Sequence, residues 1–119
     1  MPDQTLARQL AAFAAHARTT PLPAPVVTSV RQRVLDILGL CVAAHRLPTS
    51  HAALDHVAEQ GGRPQAYVVG LPEAVPAAQA AFGNGVLAHS LDYDDTHLPS
   101  VLHPSAAVVP AALAAAQAL

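Results

Sequence analysis

Residues 26–44 read VVTSVRQRVLDILGLCVAA, and the apolar positions in this stretch do not alternate. Val30, Val34, Ile37, Leu38 and Cys41 recur at three- and four-residue spacing, which lines one face of an α-helix, whereas a strand would need a period of two. Gly39 lies inside that stripe and, lacking a side chain, is expected to let a neighbouring helix approach closely. Upstream, residues 4–17 repeat the pattern, with Leu6, Leu10, Phe13 and Ala14 on one face and Asp3 placed as the cap. The run TTPLPAP at 19–25 separates these two helices, because each proline disfavours helix at the residue before it. Downstream, Pro48 ends the second segment, Thr49 or Ser50 caps a third helix over about residues 51–60, and Gly61-Gly62 stops it. Ala66-Tyr67-Val68-Val69 is a short apolar run that reads either as one strand or as extended chain. A fourth helix covers about residues 76–89, residues 90–104 form a polar, proline-punctuated loop, and a last helix starts near Ser105. The expected fold class is all-α: about five helices with at most one short extended segment.

The 119 residues suffice for one domain and not for two. A net charge of −2 gives no electrostatic reason to expect nucleic acid or an anionic membrane as partner. The N-terminus lacks a basic stretch followed by an apolar core, so no cleaved signal is expected. The most apolar segment, residues 106–119, is too short for a bilayer, which takes about 20 residues. A soluble, cytoplasmic protein is expected. Cys41 is the single cysteine, which excludes an internal disulfide and any cysteine-rich zinc or iron–sulfur centre built from this chain alone; on its apolar stripe it reads as a buried small hydrophobe. The chain is 52% hydrophobic but only 3% aromatic, with alanine its commonest residue. Alanine buries little area per residue, so helices of this kind are expected to pack inside something larger. The last helix, SAAVVPAALAAAQAL, carries no charge on any face and is expected to be buried all round, with the natural fold continuing past Leu119.

The chemistry is concentrated at residues 89–103, HSLDYDDTHLPSVLH, which hold His89, Asp92, Asp94, Asp95, Thr96, His97 and His103 in a chain only 12% charged. Three histidines with three aspartates could ligate zinc, iron or manganese, but the spacing matches neither the HExxH helix nor an EF-hand. A solvated loop without chemistry is a second reading. Acid–base catalysis is the better use of the set, because histidine titrates near neutrality and a neighbouring aspartate fixes its tautomer.

The run NGVLAHSLDYDDT at 84–96, followed by HPS at 103–105 and VPAAL at 109–113, resembles the signature of the MmgE/PrpD family, and LDILG at 35–39 is similar to that family's second-helix segment. The resemblance implies cofactor-free, metal-free lyases and isomerases of small polycarboxylic acids, which dehydrate 2-methylcitrate, decarboxylate cis-aconitate or epimerise iminodisuccinate. It implies a large all-helical domain, a smaller α+β lid and a homodimer. Residues 1–119 would be the N-terminal portion of the helical domain, without the lid and later helices. The family's catalytic aspartate, threonine and histidine match Asp92, Thr96 and His103; a second histidine and the lysines come from later in the family's chain, so this segment is expected to be inactive alone. His103 is expected to act as general acid/base, Asp92 to orient or charge-balance the site, and Thr96 to hydrogen-bond a substrate carboxylate. His89 is expected to pack or bridge, and His97 to lie on the loop surface. Residues 64–119 contain Glu73, Asp92, Asp94 and Asp95 but no lysine or arginine, so a polycarboxylate requires cations from elsewhere. The expected partners are therefore the small polycarboxylate, a second copy or a chain supplying the remaining fold. Two other classes stay open: a non-catalytic subunit or interaction module that completes a split enzyme, and a small metal-binding helical protein.

Overall fold

The computed structural model describes residues 5–119, in five α-helices: α1 (Leu6–Ala17), α2 (Ala24–Ala44), α3 (Pro48–Gln60), α4 (Ala77–His89) and α5 (Pro104–Ala118). The chain forms two compact units, the first ending at Arg31 and the second covering Gln32–Leu119. In the first unit, the Thr5 hydroxyl caps α1 by accepting from the Arg8 amide at 3.4 Å. The cap expected from Asp3 lies outside the described residues. The predicted apolar face of α1 exists, but Leu6, Leu10 and Phe13 are exposed and the helix buries no residue.

The second unit holds the core. Ile37, Cys41 and Ala44 of α2, Leu54 and Val57 of α3, Val68 of the connecting segment, and Ala80, Leu87 and Ala88 of α4 are all buried together. The buried stripe of α2 is narrower than its sequence suggests, since Val30 and Leu38 are exposed. Gly39 meets no described atom within 4 Å of where a side chain would begin. Gly83 does: an added Cβ would lie 3.1 Å from Val68 Cγ1 and 3.4 Å from Val57 Cγ2.

Pro48 begins α3 instead of merely ending the segment before it, and neither Thr49 nor Ser50 is the cap. Proline suits the first helical position, where its fixed φ matches and its missing N–H would have had no partner. Gly61 stops the helix at φ 61°, as its position suggested. The segment around Ala66–Val69 is extended chain with a single antiparallel bridge, Ala66 to Val75. Asn84 of α4 pins it, accepting from the Val69 amide and donating to the Tyr67 carbonyl, both at 2.9 Å.

α5 packs chiefly on α4 and buries Ser105, Ala106, Pro110 and Ala114, one face at roughly four-residue spacing. Its opposite side meets no other described helix, and Val108 there is exposed. Pro110 has no N–H for the Ala106 carbonyl, and Gly85 of α4 sits against that carbonyl, 3.5 Å from where its own Cβ would be. Among the described residues no helix is long and apolar enough to cross a membrane.

Candidate active site

The close packing of α4 on α5 puts the C-terminal end of one beside the N-terminal end of the other. His89 is the last residue of α4 and His103 is the N-cap residue of α5, although its side chain makes no capping bond. Their rings meet edge to face with centroids 5.0 Å apart. The loop between them supplies two carboxylates to the pair.

Asp94 is the inner one, with its side chain fully buried. His89 Nδ1 donates to it, 3.0 Å from Oδ1 and 3.2 Å from Oδ2. His103 Nδ1 lies 3.4 Å from the same Oδ1 and 3.3 Å from the Asp94 backbone carbonyl. Both Nδ1 surroundings are acceptors, which favours a proton on Nδ1 of each neutral ring. Asp92 is the outer carboxylate, exposed, with Oδ1 3.7 Å from His103 Nε2. It adopts φ 55°, a left-handed conformation that aspartate tolerates, and the reversal sends Asp92 outward and Asp94 inward.

Asp95 does a different job. Its Oδ1 accepts from the Ser105 amide at 3.0 Å, placing negative charge at the start of α5, and its Oδ2 takes an ion pair from Arg33 of α2. Arg33 Nη1 also reaches the Ser105 hydroxyl at 3.3 Å. Arg33 is a cation from outside residues 64–119 that reaches this stretch, and Asp95 engages it.

An open cleft of about 790 Å³ lies over the pair, lined by His89, His103, Phe82, Val86, Leu102 and Ala106 among others. This falls within the size range of small-molecule sites. A smaller cavity of about 250 Å³ beside α3 has Glu73 as its only ionisable lining group.

His103 and Asp92 are thus brought together. Thr96 is exposed, and its hydroxyl makes no hydrogen bond among the described residues. His97 sits on the loop surface with Nδ1 2.6 Å from the Ser100 hydroxyl. Sequence reasoning gave no role to Asp94, and it gave His89 only packing or bridging. The bridge is real, but the His89 side chain is also 55% exposed and faces the cleft. One acceptor atom from each of His89, Asp92, Asp94 and His103 falls within 4.8 Å of the others, a spread that could also close on a metal ion.

The helical unit thus carries two imidazoles on a shared carboxylate at the mouth of a cleft. Its sequence matches the model of the MmgE/PrpD N-terminal domain over residues 8–119, and the chain belongs to that family. It is 36% identical to cis-aconitate decarboxylase of Homo sapiens over 95 residues, which cover 79% of this chain and 20% of that protein. The corresponding enzyme of Mus musculus is 33% identical over 95 residues, 79% of this chain and 19% of that one. The chain therefore spans about a fifth of the length of these curated relatives.

Proposed function

We propose that this chain is the acid–base segment of a lyase or isomerase that moves a proton at a carbon next to a carboxylate of a small polycarboxylic acid, cis-aconitate or a near relative. The observation that carries the reading is His103, held at Nδ1 by buried Asp94 and flanked at Nε2 by Asp92. With Nδ1 occupied, Nε2 is the atom that exchanges a proton with substrate, and the Asp92 carboxylate balances the charge of the imidazolium. Thr96 donates to a substrate carboxylate once substrate is present. The local excess of carboxylates calls for cations from the remaining fold or a partner chain, so the segment is inactive alone.

The test uses a polypeptide carrying this segment together with the rest of the helical domain and the lid. It is assayed for turnover of cis-aconitate, 2-methylcitrate and iminodisuccinate, with and without chelator. His103→Ala is expected to lower kcat by about 10²–10⁴-fold, the usual contribution of a general acid/base. Thr96→Ala is expected to weaken binding by roughly ten- to a hundredfold, the value of a hydroxyl-to-carboxylate hydrogen bond. Full activity in His103→Ala would remove the assigned role. The clustering of four potential ligands favours one rival reading, a metal-binding helical protein. Activity lost to chelator and restored by zinc would establish that reading.

A further inference from the structure

We propose that His89 is a second proton-carrying catalytic residue of this site, paired with His103 through the carboxylate they share, so that one ring takes a proton from substrate while the other gives one. The proposal rests on the acid–base reading above and deepens it.

Three observations converge on His89. Its ring lines the same cleft as His103, half exposed, so substrate in the cleft can reach it. Its Nδ1 is held by Asp94 at 3.0 Å, more closely than His103 is held by the same oxygen at 3.4 Å, so it is as firmly oriented as the residue assigned to catalysis. The two ring centroids are 5.0 Å apart, a separation that one small substrate can span.

A structural bridge alone would account for His89 touching Asp94. It would not account for a polar ring left open on an otherwise mostly apolar cleft wall beside Phe82 and Val86. The roles divide by the reading above: His103 takes the proton, which leaves its delivery to His89, at the carbonyl end of α4 and on the same carboxylate.

In a β-elimination the step balances as follows. His103 Nε2 takes the proton from the carbon next to the carboxylate, and that electron pair becomes the carbon–carbon double bond. The carbon–oxygen bond breaks, and the departing hydroxyl takes the proton of His89 Nε2 and leaves as water. Solvent then returns a proton to His89 and removes one from His103. No oxidant, metal or further reactant is needed.

The experiment has two arms. In the first, the complete enzyme and its His89→Gln variant are compared for dehydration and for solvent-deuterium exchange at the carbon next to the carboxylate. A fall in kcat of about 10²-fold or more, with KM within a few-fold and the deuterium exchange retained, is the expected result, because His103 still removes the proton. Unchanged kcat, or exchange and turnover falling by the same factor, would overturn the proposal. An unmutated enzyme inactive on every polycarboxylate would instead sink the acid–base reading itself and this proposal with it. The second arm needs no variant. Nitrogen-15 spectra of this chain with neutral rings should show Nδ1–H on both His89 and His103, and Nε2–H on His89 would overturn the shared-carboxylate arrangement.

Discussion

Replacing Asn84 with alanine removes both hydrogen bonds that fasten the extended segment to α4. Asn84 Oδ1 accepts from the Val69 amide at 2.9 Å, and Asn84 Nδ2 donates to the Tyr67 carbonyl at 2.9 Å. The two losses are unequal. Tyr67 is exposed, so water replaces the lost donor at its carbonyl and little is forfeited. Val69 is half-buried, and its amide would be left without a partner, at about 1–3 kcal/mol. Together the change should destabilise the second unit by about 2 kcal/mol, roughly 1 M in urea midpoint for an m-value of about 1–3 kcal/mol/M. Circular dichroism at increasing urea measures the midpoint, and hydrogen exchange at the Val69 amide reports the local effect. Asn84→Asp keeps the acceptor for Val69 but sets a carboxylate against the Tyr67 carbonyl, so it should fall between the other two. A midpoint shift for Asn84→Ala below about 0.3 M, with Val69 protection unchanged, would refute this account of how the segment is held.

Two further outcomes follow from the packing. Gly83→Ala should cost about 1–3 kcal/mol, because its methyl would press on Val68 and Val57, both buried; a neutral melting temperature would show that the core gives way freely. Burial raises the Cys41 thiol from 9.0 to about 11, partly offset by a hydrogen bond from the backbone of Cys41 itself. The folded state therefore holds the proton more tightly than the unfolded one, so stability is intact below pH 9 and declines as pH rises towards 11. Urea midpoints at pH 8 and pH 10.5 check the sign, which Cys41→Ala should abolish.

The helices were legible because their punctuation is local. Proline at the start of α5 and glycine after α3 act within a residue or two of themselves, and the 3.6-residue period of α2 excludes a strand. What a helix face meets is not local. Gly39 reads as a contact glycine and meets open space, whereas Gly83, in an undistinguished apolar run, is the one wedged against two valines. The start of α3 was misplaced because Pro48 can terminate one helix or open another, and only the path of residues 45–47 decides between them. At the site, two aspartates two positions apart look alike in sequence. The left-handed turn at Asp92 separates them into an exposed partner of His103 and a buried partner of both histidines. A signal was available: aspartate tolerates the left-handed conformation that the turn needs. The Arg33–Asp95 pair, 62 residues apart, left no such trace.

The way the loop is tied explains why reactive groups can sit in it without being disordered by it. At its start, the Ser90 hydroxyl donates to the Val86 carbonyl at 2.6 Å and the Asp92 amide to the His89 carbonyl at 3.1 Å, so the chain stays bound to the end of α4. At its close, Asp95 holds the first turn of α5 and takes Arg33 from α2. Asp94 lies between these two anchors and fixes both rings. The tip is separate, closed on itself by the His97 amide bonding to the Leu102 carbonyl at 2.8 Å, with Leu98 and Val101 exposed. Val101 is β-branched yet holds φ 52°, a conformation costing about 1–3 kcal/mol that the anchored ends must sustain. Val101 and Leu102 form one wall of the cleft, while the histidines take their orientation from the helix ends and Asp94. Substitutions at the tip are therefore expected to reshape that wall while leaving the two histidine rings in place, because the rings take no hydrogen bond from the tip.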